Sequence, residues 1–484
     1  MVSVIGGLKM FEIMPAFDYT RSVPLYIQLY QYIKEEILNG TIKPGTKLPS
    51  KRKLAQYLGI SQNTIQTAYE QLCAEGYVES KPRKGMFVIR IDDNLEYNQM
   101  LEVNQNKSVQ IEKELENIIN FSSGKIDLDH FPYSTWRRLT IQSLYSDQSI
   151  LLSLGDPQGD KCLREEISNY LFQSRGVRCS ADQIIIGSGT QYLLILLSML
   201  IGKCCSYGIE NPGFYKARHV FKDQGIDVKP ISIDENGIRI EDLKKCSVKV
   251  AYVTPSHQFP CGMVMPISRR MELLKWCEEI NGYIIEDDYD SEFRYKGKPI
   301  PSLQGLDTNG HVIYMGTFSK SLIPSIRISY LVLPQSLLKK YQEHLIIYKQ
   351  TVSRLHQYTL YRFMKEGYWS SHLNKMRTLY RKKENFLLSS IEKHLGENVE
   401  IIGAKSGLHI LLKVKTNMPE DKLISTAYKN GVKVYPTSLY YDSYKNNESP
   451  IILLGFAGVK EAQIEEGIKM LKKIWFDNDQ KLTI

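Results

Sequence analysis

Between Val23 and Leu38 the apolar side chains fall at Tyr26, Leu29, Tyr30, Ile33 and Ile37, the spacing of one helical stripe, and Asn39-Gly40 closes the run. A turn-rich stretch, "KPGTKLPS", follows. Ser50 stands where it caps a second helix, "KRKLAQYL", ended by Gly59; Ser61 caps a third, "QNTIQTAYEQLCAE", ended by Gly76. Two helices joined across "GIS" predict a helix-turn-helix. In "GYVESKPRKGMFVI" two short β-patterned runs flank the turn "KPRKG", which predicts a β-wing.

The pattern then breaks. "DDNLEYNQMLEVNQNKSVQIEKELEN" is polar and acidic, without glycine or proline, and reads as a linker over residues 91–118. It separates a unit at 20–90 from one at 119–484. In the second unit strands alternate with helices: "ADQIIIGSGTQYLLILLSMLIG", "CCSYGIENPGFYKARHVFKDQG", "VKVAYVTPSHQFP", "INGYIIEDDYDSEF", "HVIYMGTFSKS". Such alternation predicts an α/β fold with a mostly parallel sheet and helices on both faces, with ligands at the carboxyl ends of the strands. "VKPISIDENGI" and "SGLHILLKV" read as further strands and turns of the sheet and of a smaller C-terminal subdomain.

Composition adds two constraints. The 484 residues are 43% hydrophobic and 24% charged, enough for two or three domains with sizeable cores. No apolar run approaches the roughly 18 residues of a membrane span, and the N-terminal "VSVIGGL" is too short for a signal peptide. The eight cysteines show no CxxC spacing, so reduced thiols in a cytoplasm are expected, with no metal and no disulfide implied. Net charge is +9, and the segment from Arg21 to Arg90 carries eleven Lys/Arg against five Asp/Glu, so it holds +6 of that excess. A basic, separable block of this kind suits a polyanionic partner.

The chemistry of that block agrees. The third helix opens on Ser61, Gln62, Asn63 and Thr64, short polar side chains suited to base edges in a major groove. Lys81, Arg83 and Lys84 sit at the wing tip, where cations grip phosphate. From "VPLYIQLYQYIKEEILNG" to "KPRKGMFV" the segment resembles the winged helix-turn-helix of the GntR family of bacterial transcription regulators. The resemblance implies operator DNA as partner, contacted through Pro49, Ser50, Arg52, Ser61, Gln62, Asn63 and Thr64, and in the wing through Arg83, Lys84 and Gly85.

Four strand ends in the large unit form a set. Ser188-Gly189-Thr190 opens a long apolar helix and offers an anion seat. Asp287 and Tyr289 follow a buried strand, and Lys320 ends "HVIYMGTF", where desolvation lowers an amine's pKa and readies it for a Schiff base. Arg327 adds a guanidinium to the hydroxyls of Thr317 and Ser319. A lysine for an aldehyde, an acid for a ring nitrogen, a phenol for a ring oxygen and a cradle for a phosphate together describe pyridoxal 5'-phosphate (PLP).

With those residues the region from about Asn120 onward resembles a fold-type I aminotransferase domain. "GDPQGDKCLREEI" and "TPSHQFPCG" match the MocR subgroup, in which a GntR domain precedes the aminotransferase-like one. The resemblance implies that Lys320 binds the cofactor covalently, Asp287 pairs with the pyridine nitrogen, Tyr289 bonds the ring hydroxyl, Phe214 stacks on the ring, and Gly189, Thr190, Thr317, Ser319 and Arg327 hold the phosphate. It also implies a homodimer, with a small amine or amino acid, or PLP itself, as effector.

Two departures bear on activity. Such aminotransferases carry Asn-Pro-x-Gly where this chain reads "HQFPCG", so His257 or Gln258 stands in for the asparagine. Where they place a carboxylate-binding arginine, "LLGFAG" has Leu453, which leaves Lys216, Arg218 and His409 as cationic candidates. The expected protein is therefore a PLP-dependent, DNA-binding transcription regulator. The alternative is a working aminotransferase with an appended DNA-binding domain.

Overall fold

The computed structural model describes residues 23–90, 118–146, 151–295, 300–404, 406–443 and 449–477, with residues 13, 15, 17 and 18. Apart from Ile118, the expected linker lies outside the described residues. The chain divides into two compact units, Met1–Lys113 and Glu114–Ile484.

In the first unit α1 (Leu25–Leu38), α2 (Lys51–Leu58) and α3 (Gln62–Ala74) pack around Leu29, Ile33, Leu54, Ile65 and Leu72, all with no exposed surface. Their starts are set by side chains: Ser50 Oγ accepts from the Lys53 N–H at 3.4 Å and Ser61 Oγ from the Thr64 N–H at 3.1 Å. The wing is the antiparallel pair β1 (Val78–Lys81) and β2 (Gly85–Val88), with Lys81 opposite Gly85. One expectation changes here. "KPGTKLPS" is more than a turn, because Thr46–Leu48 lies along β2: the Leu48 N–H donates to the Met86 carbonyl at 2.9 Å and the Val88 N–H to that of Thr46 at 3.0 Å. Backbone pairing leaves no mark in a stretch of Lys, Pro and Gly, and only buried Ile42 and Leu48 hold it to the core.

The second unit begins with β3 (Ile119–Asn120). Its main sheet is built from β4 (Ile184–Gly187), β5 (Tyr207–Asn211), β6 (Val228–Asp234), β7 (Gly237–Ile238), β8 (Val250–Val253), β9 (Tyr283–Asp288), β10 (Val312–Thr317) and β11 (Ser329–Val332). Across the sheet the order is β4-β11-β10-β9-β8-β5-β6-β7. The run β10-β9-β8-β5-β6 is parallel, while β11 and β7 are antiparallel to their neighbours. This is the mixed, mostly parallel sheet expected. Its central strands β9 and β10, like β4, are buried along nearly their whole length, as strands covered on both faces must be, whereas β6 near the edge is partly exposed.

Two helices continue from strands of this sheet: α4 (Thr190–Ile201), which leaves β4 directly, and α5 (Tyr215–Asp223), which comes after β5. The smaller subdomain is a four-stranded antiparallel sheet of β12 (Val399–Ile402), β13 (His409–Val414), β15 (Tyr435–Pro436) and β16 (Ile451–Gly455), in the order β12-β13-β16-β15. Between them β14 (Val432–Lys433) pairs in parallel with β3, so Asn120 is drawn into the subdomain. Among the described residues no helix is long and apolar enough to cross a membrane.

Candidate functional site

Parallel strands end on the same edge of a sheet, so the turns that leave β5, β8, β9 and β10, with the start of α4, face one another. They enclose a cavity of about 480 Å³. Phe214, Thr190, Asp287, Tyr289, Thr317, Ser319, Lys320 and Arg327 all line it. Residues 190 to 327 thus meet through topology alone.

The charges in the cavity are unusual. The Lys320 amine donates to the Ser123 carbonyl and is lowered to about 8, chiefly by desolvation, with Asp290 opposing and Lys216 adding to the shift. Asp287 is 5% exposed and is raised to about 7 because burial disfavours its charge, against a hydrogen bond from the Tyr252 hydroxyl. A buried carboxylate raised in this way is set to meet a cation.

At the other end Gly189 (φ +106°) precedes α4, and a Cβ there would lie 2.1 Å from Arg327 Nη2. Only glycine leaves room for the guanidinium, which donates to the Ser188 carbonyl at 3.1 Å. Thr317 Oγ1 accepts from the Ser319 N–H at 3.2 Å and the Ser329 hydroxyl at 2.8 Å, which leaves its own proton to donate elsewhere. Helix N-terminus, hydroxyls and guanidinium form a seat for an anion.

His257 and Gln258 are set back from the cavity wall. Gln258 Nε2 donates to the carbonyls of Pro212 and Phe259, both at 2.9 Å, and its Oε1 accepts from the Cys261 N–H at 3.1 Å, so its amide shapes the loop. His257 Nδ1 lies 3.0 Å from both the Tyr289 hydroxyl and Asp290 Oδ2, and thereby orients the phenol. His257, Asp290 and His409 bring ligand atoms within 4.8 Å of one another, a grouping no spacing in the sequence suggested. Sequence reasoning also missed Tyr252 and Ser123. Tyr252 is one aromatic in an apolar strand, and Ser123 acts through its backbone, so neither carried a signal.

Leu453 has no exposed surface and packs with Leu411 and Tyr440 against Tyr215, Phe259 and Tyr435. An apolar cluster occupies this position.

In the first unit Arg52, Ser61, Gln62, Asn63, Arg83, Lys84 and Gly85 are exposed. Thr64 is half-buried, its hydroxyl 2.8 Å from that of Ser61. Pro49 and Ser50 line, with Lys47, Lys51, Arg83 and Lys84, a groove between wing and helices. Lys47 is the addition here, brought to the wing by its bridge to Phe87. Lys81 is paired with Glu79 at 2.7 Å.

Comparison with known proteins agrees with both halves. Residues 25–88 match the gntR family of bacterial regulatory proteins, and residues 116–471 match aminotransferase class I and II. The uncharacterized HTH-type transcriptional regulator YdeL of Bacillus subtilis (strain 168) is 48% identical over 96% of this chain and 99% of its own length. The probable rhizopine catabolism regulatory protein MocR of Rhizobium meliloti is 33% identical over 95% of each chain. A crystal structure of Pyrococcus horikoshii kynurenine aminotransferase superposes with a TM-score of 0.67 at 26% identity, covering 80% of this chain and 97% of that one. The gntR match implies DNA binding, and the class I and II fold implies PLP dependence in general. This chain belongs to the family of HTH-type transcriptional regulators that join a gntR-family helix-turn-helix to an aminotransferase class I and II domain.

Proposed function

We propose that this regulator binds operator DNA through residues 20–90, holds PLP at Lys320 and senses a small molecule there, with residues 91–118 as linker and 119–484 as effector domain. The observation that carries the reading is the convergence on one cavity of a desolvated lysine, a buried acid held by the Tyr252 hydroxyl and an anion seat. When bound, PLP supplies an aldehyde that captures amines and a ring that withdraws electrons.

The protein's own groups do the rest. A Lys320 pKa of about 8 keeps a share of the amine unprotonated near neutrality. Asp287 would pair with the ring nitrogen and keep it protonated, and that positive charge would offset the cost of burying the carboxylate. Tyr289, oriented by His257, would bond the ring hydroxyl, and Phe214 would stack on the pyridine ring. Gly189, Thr190, Thr317, Ser319 and Arg327 take the phosphate. On the DNA side Arg52, Arg83 and Lys84 grip phosphates while Gln62 and Asn63 read bases. The protein works in the cytoplasm as a homodimer built on the effector domain.

The test is PLP loading followed by borohydride reduction, mass mapping and DNA titration. Wild-type protein should carry the label on Lys320, and PLP or an amine should change its DNA affinity. A label elsewhere, or DNA binding indifferent to both, would refute the reading. The same complete cofactor end supports a second reading, a working aminotransferase, against which Leu453 counts. Sustained turnover of an amino donor and a keto acceptor, undiminished on deletion of residues 1–118, would establish it.

A further inference from the structure

Resting on the cofactor reading above, we propose that the effector is a primary amine with an aromatic or branched apolar body and no carboxylate. Away from the anion seat the apolar part of the cavity wall is Tyr215, Phe259, Leu408, Tyr435, Leu439 and Tyr440, with Ser122, Ser123, Gln191, Lys216 and His409 beside it. The rings interlock: centroids lie 4.9 Å apart for Phe259 and Tyr440, and 5.7 Å for Tyr215 and Tyr440. Leu453 and Leu411 pack behind them with 0% and 3% exposure. An apolar body gains by leaving water against such a wall, with favourable edge-to-face contacts if it is aromatic.

A carboxylate finds little there. Arg327 belongs to the opposite end, on the Ser188 carbonyl. Arg218 is spent on the wall itself: its Nη2 donates to the carbonyls of Leu439 at 3.3 Å and Tyr441 at 3.1 Å, and its Nη1 lies 3.7 Å from Asp442. His409 bonds the Pro260 carbonyl at 3.0 Å, and burial lowers it to about 3, so it is neutral near pH 7. The Tyr435 hydroxyl is bound to Asn120 Oδ1 at 2.9 Å. Lys216 remains, an exposed lysine that lines the cavity but lacks the two-pronged geometry of a guanidinium. A carboxylate would shed its water against aromatic faces, and the cavity would reject it.

The experiment compares ligands that differ only in that group: 2-phenylethylamine with L-phenylalanine, and 3-methylbutylamine with L-leucine, titrated calorimetrically into full-length, PLP-loaded protein. Each amine should bind at least about tenfold more tightly than its amino acid. Leu453→Arg should reverse the order, and the wild-type comparison stands alone if that variant does not fold. Equal or tighter binding of the amino acids, or no binding of any of the four, overturns the inference and leaves the cofactor reading intact. Protein that takes up no PLP overturns that reading and the inference with it.

Discussion

The residues proposed to contact DNA lie between Lys47 and Gly85, on helix starts and the wing, and most of them are exposed. The residues around the cavity run from Ser122 to Tyr440 and are drawn together by strands that are neighbours in space only. Charge is used differently in the two places. On the proposed DNA face the cations are exposed, and affinity there would come from released counterions. In the cavity burial itself retunes Lys320 and Asp287, and a low dielectric makes each group count for more. An exposed surface can be rebuilt one residue at a time, whereas a buried site depends on the whole sheet.

The largest predicted effect sharpens that contrast. Lys320→Ala should remove all covalently retained PLP after borohydride reduction while circular dichroism stays unchanged; retained label would show that the amine is not the attachment point. Salt should separate the two regions next. Raising it from about 50 to about 200 mM should weaken DNA binding by about 10³-fold or more if six phosphates are contacted. PLP retention, measured in the same buffers, should hardly move, and a parallel loss would break the comparison.

Gly189→Ala forces a methyl group into the Arg327 guanidinium at a φ that disfavours any side chain. PLP affinity should fall by about tenfold or more, read by equilibrium dialysis. The pH dependence follows from Lys320. Its neutral form is the reactive one, so the second-order rate of PLP uptake should rise about tenfold per pH unit below about 8 and level off above it. A rate that keeps climbing about tenfold per pH unit well past pH 8 would mean an amine not lowered by burial.

Smaller effects probe the exposed face. Asn63→Ala should cost about 1 to 3 kcal/mol on the preferred site and little on random DNA, whereas Arg83→Ala should lower affinity on both and reduce the salt slope by about one unit. Equal losses on both DNAs for Asn63→Ala would remove it from base reading. Ser61→Ala, which deletes the cap of α3, should lower the stability of the N-terminal unit by about 1 kcal/mol in a denaturant titration.

Much of this was legible beforehand because it is local or periodic. Caps at Ser50 and Ser61, stops at Gly59 and Gly76 and the change of period at the wing are written in neighbouring residues. Alternating strands and helices oblige a parallel sheet, which sends Thr190, Asp287 and Lys320 to one edge before any coordinate is known. What the alternation could not supply is which side chain is already engaged. Arg218 looked available in the sequence and is tied to two carbonyls; Gln258 looked like a ligand and shapes a loop; Tyr252 and the Ser123 carbonyl looked like nothing and hold Asp287 and Lys320. Leu453 announced that an arginine was missing, and the packing of Leu411, Tyr215, Phe259 and Tyr440 decided what fills its place. Period and composition are properties of a segment, so the sequence carries them; hydrogen-bond partners and desolvation depend on atoms hundreds of residues away, and they exist only once the chain has closed around them.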